Sequence, residues 1–361
     1  MQEILKGIEQ VERVLKGLGS SRFLLVCDAA FPHLGIALPE AAACFDQFTP
    51  NPLYEDVCKG VELFNREGCD AIVAVGGGST IDVAKCIKLY CRMDPSINYL
   101  QQTPVDTQVP LVAVPTTAGT GSESTRYAVI YYEGKKQSIA HESIIPDFAV
   151  LEPSLLKTLP PYQKKCTMLD ALCQGIESMW SVNSTEESME FSKKAIGLIM
   201  EHWHEYIVNN TGQAAESVML AANYAGRAIN ITQTTAPHAM SYKLTSMYGI
   251  PHGHAVALCL PQVWKYMMEH PEGCIDPRGR GHLEQVFQYI GRIMGCGTPE
   301  EALALFRNVM TGLQMPSPRS TSSEADLETL TQSVNPVRLK NNPVALPQEA
   351  IYDIYYKILN P

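Results

Sequence analysis

Short, nearly continuous apolar runs alternate with amphipathic stretches through the first half of the chain: RFLLVCD, a polar passage, DAIVAVGGGS, then TIDVAKCIKLYC, then VPLVAVPTTAGTGSE. Strands that are apolar at almost every position are buried on both faces, so this rhythm predicts a parallel sheet of βαβ units covered by helices. The pattern breaks at Pro146, Pro153, Pro160 and Pro161. Beyond it the apolar positions recur at helical spacing, and helices are expected over 162–182, 185–207, 213–232, 234–247 and 252–268, with others nearer the C-terminus. The N-terminal MQEILKGIEQVERVLKGLG reads as opening on the first helix. The stretch 271–345, which contains SPRSTSSEAD, reads as a place for loops, with nothing in it that suggests chemistry.

These elements give an α/β, Rossmann-like parallel-sheet domain over 1–161, followed by an all-α, helical domain over 162–361. With 361 residues and 45% hydrophobic content there is material for two cores. A formal net charge of -10 argues against a surface for polyanions, so nucleic acid is not expected as a partner. No apolar run approaches the roughly 18 residues that span a bilayer. The N-terminus carries alternating charges where a signal peptide would be apolar, and a cytoplasmic protein without a membrane partner is expected. Eleven cysteines, without a CxxC pair, read as reduced thiols, several of them small core residues.

In DAIVAVGGGSTIDVAK an apolar strand runs into Gly76, Gly77, Gly78 and Ser79, and a helix starts at once. Glycines there let the backbone approach a pyrophosphate, while the free N–H groups and positive dipole end of the helix face it. A second loop, VAVPTTAGTGSE, also follows an apolar strand, and Thr116, Thr117, Gly119, Thr120, Gly121 and Ser122 combine close backbone approach with hydroxyl donors. Two such loops at the ends of parallel strands are what a dinucleotide at a sheet's carboxyl edge requires.

Together with Asn51-Pro52, a later helix containing LDAL and a segment ending PHGHA, these loops resemble the iron-containing (group III) alcohol dehydrogenases along nearly the whole chain. The resemblance implies that Gly76, Gly77, Gly78, Ser79, Thr116, Thr117, Thr120 and Ser122 hold NAD(P), with Asn51, Asp82, Lys85 and Lys136 on the same side. Asp28, at the end of the first apolar strand, matches the acid of NAD-preferring members; a carboxylate there accepts from ribose hydroxyls and repels a 2′-phosphate. NAD(H) is therefore favoured over NADP(H).

The resemblance also implies a divalent metal, Fe²⁺ or Zn²⁺, on Asp170, His238 and His252. The family's fourth ligand is a histidine four residues after the Asp; here Gln174 stands in its place as a candidate fourth ligand, coordinating weakly through its carbonyl oxygen or hydrogen-bonding a metal-bound water or the substrate instead, since an amide oxygen is a poorer ligand for these metals. Tyr242 and His254 are candidates to relay a proton, and Glu177 shares the helix of Asp170 and Gln174. The segment AGRAINITQTTAPHAM is more polar than is usual in the family, so Arg227, Asn230, Gln233, Thr234 and Thr235, with Arg126, are candidates to meet an anionic substrate. That combination looks like the subgroup that reduces phosphonoacetaldehyde to 2-hydroxyethylphosphonate. The alternatives are a dehydrogenase of neutral short-chain alcohols and, more distantly, a metal-free nucleotide-binding protein without activity. The resemblance allows a homodimer.

Overall fold

The computed structural model describes residues 2–318 and 323–360. It divides into two units, Met1–Leu159 and Pro160–Pro361. In the first, strands β1 (Glu3–Lys6), β2 (Phe23–Cys27), β3 (Ala43–Phe45), β4 (Ala71–Gly76), β5 (Leu111–Pro115) and β8 (Phe148–Leu151) form one sheet, and β6 (Tyr127–Tyr132) pairs with β7 (Lys135–Ala140) in an antiparallel hairpin. Sheet order is β1-β8-β5-β4-β2-β3, and every pairing in it is parallel. Helices α1 (Gln10–Leu18), α2 (Tyr54–Arg66) and α3 (Gly78–Tyr90) cover it.

Consecutive strand residues serve opposite faces. Leu24, Val26, Ile72 and Ala74 join a core with Val57 and Val61 of α2 and Ile81 of α3, while Leu25, Val73 and Val112 meet Val11, Val14 and Leu15 of α1. Burying one such Val, Leu or Ile contributes about 1.5–3 kcal/mol, which is why no position in β2 or β4 is polar.

Two expectations for this unit need correction. The chain does not open on a helix: Glu3–Lys6 forms an edge strand against β8, a run too short for its period to separate strand from helix. The β6–β7 hairpin was also missed, because KKQSIA is a polar strand. Its turn carried a signal, since Glu133 and Gly134 both take left-handed backbone, with φ of 50° and 70°.

The second unit is helical: α4 (Pro161–Trp180), α5 (Glu186–Val208), α6 (Gly212–Thr232), α7 (Ala236–Tyr248), α8 (His252–Glu269), α9 (Arg280–Ile293), α10 (Pro299–Gly312), α11 (Glu324–Ser333), α12 (Pro336–Leu339) and α13 (Gln348–Leu359). The first five follow the expected helices closely. The loops expected over 271–345 are instead largely helix, α9 to α12, with capping boxes at Thr298/Glu301 and Ser323/Asp326; within SPRSTSSEAD, residues 319–322 lie outside the described residues. Helix α4 packs against α5, α6, α8 and α9, and from Cys166 to Trp180 every residue is buried. Polar side chains on such a helix must find partners or a ligand. Among the described residues, no helix is long and apolar enough to cross a membrane.

Candidate cofactor and metal sites

In the first unit the two glycine-containing loops leave adjacent strands. Gly76 is in register with Pro115, and the Thr116 N–H donates to the Gly76 carbonyl at 3.0 Å. Gly77 is extended and α3 starts at Gly78, so the free N–H groups of that helix lie where the strand ends. A Cβ on Gly78 would come 2.8 Å from Thr120 Oγ1, and one on Gly77 would meet the Thr117 methyl at 3.4 Å. Gly78 is therefore needed for the loops to pass each other, while Gly77 makes only ordinary contact there. The Asn51 N–H donates to Ser79 Oγ at 3.4 Å, with Asn51 itself at a left-handed φ of 59°.

Asp82 and Lys85 act behind these loops. Asp82 accepts from Ser122 Oγ at 2.6 Å and from the Val129 N–H at 2.9 Å; Lys85 donates to Ser122 Oγ, Thr125 Oγ1 and the Tyr127 carbonyl. Burial holds the Lys85 amine down at about 8, against the pull of Asp82. Burial likewise raises Asp82, opposed by Lys85, by its hydrogen bonds and by Lys136. Both carboxylate oxygens of Asp82 are thus occupied within the protein, so it braces the second loop from behind. That loop opens into a 3₁₀ turn, Ser122–Ser124, and then the hairpin. At the end of β2, Asp28 accepts from Thr80 Oγ1 at 3.2 Å and from the Ala30 N–H at 2.9 Å, and is half-buried.

In the second unit, Asp170 from α4, His238 from α7 and His252 from α8 bring one ligand atom each to within 4.8 Å of one another. Asp170 Oδ1 lies 3.3 Å from His238 Nε2 and 3.9 Å from His252 Nε2. Both imidazoles are held at their other nitrogen. His238 Nδ1 donates to Glu177 Oε1, and His252 Nδ1 faces Ser241 Oγ at 3.3 Å, whose own proton goes to the His238 carbonyl. Each Nε2 is therefore aimed at Asp170. Asp170 Oδ1 and His238 Nε2 are buried and make no hydrogen bond. One carboxylate and two imidazoles, with buried polar atoms left over, fit a divalent cation of the Fe²⁺ or Zn²⁺ class.

Glu177 is the residue the sequence reading left without a role. Fully buried, it accepts from His238 Nδ1 with one oxygen, and with the other from the Thr235 N–H at 2.8 Å and Thr235 Oγ1 at 2.9 Å. Its signal was the i, i+3 and i, i+7 spacing from Gln174 and Asp170 on one buried helix. Burial alone would depress His238, but Glu177 and Asp170 outweigh it and raise the imidazole to about 9. Burial would raise Asp170; the two histidines reverse this and hold it below the usual carboxylate range. Gln174 donates from Nε2 to Asp170 Oδ2 at 3.3 Å and so steadies the carboxylate.

Around the cluster the expected polar residues divide. Tyr242 stacks on His252, rings 5.5 Å apart and 2° from parallel, and its hydroxyl accepts from Arg338 Nη1 at 3.3 Å. His254 bonds Tyr162 through Nδ1 at 2.8 Å; two residues turn a helix by about 200°, which sends it to the opposite side from His252. Arg227 lies over Phe191, 4.8 Å from the ring centroid, and Arg126 pairs with Glu142 and with the Tyr127 hydroxyl. Gln233, exposed and at a left-handed φ of 59°, accepts from Asn341, and Thr235 turns inward to Glu177. Arg338 comes from the stretch that was expected to hold no chemistry.

Similarity to known proteins extends over both units. A family model described as iron-containing alcohol dehydrogenase matches residues 5–153, and its C-terminal counterpart matches 165–359. The phosphonoacetaldehyde reductase of Streptomyces viridochromogenes is 34% identical over 301 residues, covering 78% of this chain and 74% of that protein. The NAD-dependent methanol dehydrogenase of Bacillus methanolicus is 33% identical over 273 residues, 71% of each. Among solved structures, sulfoacetaldehyde reductase from Bifidobacterium kashiwanohense in complex with NAD+ superposes with a TM-score of 0.89 at 25% identity, covering 99% of this chain and 97% of that one.

Proposed function

This chain belongs to the iron-containing alcohol dehydrogenase family, and we propose that it catalyses the metal-dependent, NAD(H)-linked reduction of a small anionic aldehyde, or the reverse alcohol oxidation. The leading candidate is phosphonoacetaldehyde to 2-hydroxyethylphosphonate. The observation that carries the reaction class is the convergence of Asp170, His238 and His252. The anionic substrate is supported by the similarity to a phosphonoacetaldehyde reductase and to a sulfoacetaldehyde reductase.

When bound, the metal supplies Lewis acidity toward a carbonyl oxygen and the nicotinamide supplies the hydride. Asp170, His238 and His252 would hold the metal, and the Glu177 carboxylate keeps the proton of His238 on Nδ1 so that Nε2 is available. In the first unit the N–H groups at the start of α3 and the hydroxyls of Thr116, Thr117 and Thr120 would bind pyrophosphate. Asp28 would accept from ribose hydroxyls, which favours NAD(H) over NADP(H).

A second reading, a dehydrogenase of neutral short-chain alcohols, is favoured by the contacts of Arg227 with Phe191 and of Arg126 with Glu142, which occupy the two arginines that the sequence offered to an anion. Rates with NADH on phosphonoacetaldehyde and on propanal, before and after chelation of the metal, test both. The proposal expects chelator-sensitive turnover and a preference for the charged aldehyde. Equal or better turnover of propanal favours the second reading, and full activity of metal-stripped protein overturns both.

A further inference from the structure

We propose that Arg338 binds the anionic group of the substrate, forming a guanidinium subsite beside the metal cluster. The inference rests on the anionic-aldehyde reading above and names the residue that reading lacks. Arg338 lies on the short helix α12 and is half-buried. Its guanidinium carbon is 5.5 Å from the Tyr242 ring centroid, and Nη1 donates to the Tyr242 hydroxyl. Tyr242 in turn stacks on His252, so the guanidinium stands one aromatic ring away from a residue of the metal cluster.

The charge on Arg338 is not met by a carboxylate among the described residues. Elsewhere in this unit Arg278 is paired with Asp276 and Arg280 with Glu284. A half-buried guanidinium without a counter-charge has lost part of its hydration, and a tetrahedral oxyanion compensates for that loss through two parallel N–H bonds.

The segment that carries Arg338 is capped before it and fastened after it. Before it, Asn335 Oδ1 accepts from the Val337 N–H at 2.9 Å. After it, Asn341 Nδ2 donates to Gln233 Oε1 and to the Thr234 carbonyl, its Oδ1 accepts from Asn183, and its carbonyl accepts from the Val182 N–H. These bonds tie α12 to the turn between α6 and α7, the same turn that leads into His238. A cation held in this way loses little further entropy on binding. A guanidinium in this place suits a substrate that carries an anionic group besides its carbonyl, of the phosphonate, sulfonate or carboxylate class.

The test compares wild type, Arg338→Gln, Arg338→Lys and Arg227→Gln, each checked for metal content and thermal stability. The readouts are the ratio of kcat/KM for phosphonoacetaldehyde to that for propanal, and the inhibition of propanal reduction by 2-hydroxyethylphosphonate. Arg338→Gln is expected to lower the ratio by about 30-fold or more and to weaken the inhibition to match, with Arg338→Lys retaining part of both. Equal losses on the two aldehydes would show that Arg338 only supports Tyr242 by packing. A wild type that prefers the charged aldehyde, with the ratio lowered by Arg227→Gln and not by Arg338→Gln, overturns the assignment and leaves the substrate reading standing. A wild type without preference for the charged aldehyde overturns that reading, and this subsite with it.

Discussion

Gly253 lies against the carbonyl of Cys166 with no room for a side chain between them: a Cβ at 253 would overlap the Cys166 oxygen and come 2.9 Å from the Asp170 Cβ. The first turn of α8 therefore rests directly on α4, and this contact brings His252 to Asp170. Glycine is required here by close approach, since the backbone at 253 is ordinary helix.

Gly253→Ala is accordingly expected to push α8 away from α4. The clash is with backbone, which cannot rotate aside, so a destabilisation of about 1–3 kcal/mol is expected from overpacking. Weaker metal binding should accompany it as the His252–Asp170 separation grows. Denaturant unfolding and metal titration check both; an alanine variant with unchanged affinity would show that the helices are free to separate without cost to the cluster.

Glu177→Gln removes the charge behind His238 and sets an amide N–H₂ against the donors of Thr235 or of His238. Loss of an outer carboxylate of this kind costs about 10–100-fold in metal affinity. Metal titration by calorimetry is the direct measurement, and affinity within a factor of two of wild type would remove Glu177 from this role.

The metal-free protein should be pH-sensitive in a defined window. His238 is raised from 6.5 to about 9 by Glu177 and Asp170. A raised imidazole adds stability that is fully present below the unfolded value of 6.5 and is lost as pH rises through 9. The loss is on the order of a few kcal/mol. A bound metal takes the place of that proton on Nε2, so the loaded protein should lack this dependence. Tm measured across the window, with and without chelator, checks the contrast; parallel curves for the two forms would mean that His238 is neutral in both.

Asp28→Gly removes the carboxylate at the end of β2 while leaving the two glycine-containing loops intact. The NADP(H)/NAD(H) ratio of kcat/KM is expected to rise by about tenfold or more, since the repulsion toward a 2′-phosphate is removed. An unchanged ratio would confine Asp28 to its bonds with Thr80 and Ala30.

Much of this architecture was legible in the sequence because its signals are local. AIVAVG and VPLVAVP are apolar at every position, and only strands covered on both faces tolerate that. The helices from α4 to α8 announced themselves by period and by the prolines before them. Pairing of the two loops followed from their shared position at strand ends, and Asp170, His238 and His252 from motif spacing that the family resemblance made readable.

What only the tertiary structure decided concerns residues whose partners are distant in the chain. Glu177 reads as one more polar residue on α4 until His238, 61 positions later, presents its Nδ1. Arg227 and Arg338 are both arginines on helices, and nothing local distinguishes them. Packing places Phe191 under the first and Tyr242, stacked on His252, beside the second. The physical reason is one of range. Backbone propensity and hydrophobic period act over a few residues and fix the elements, whereas the partner that satisfies a buried polar group is selected by which helices meet, and that is a property of the whole fold.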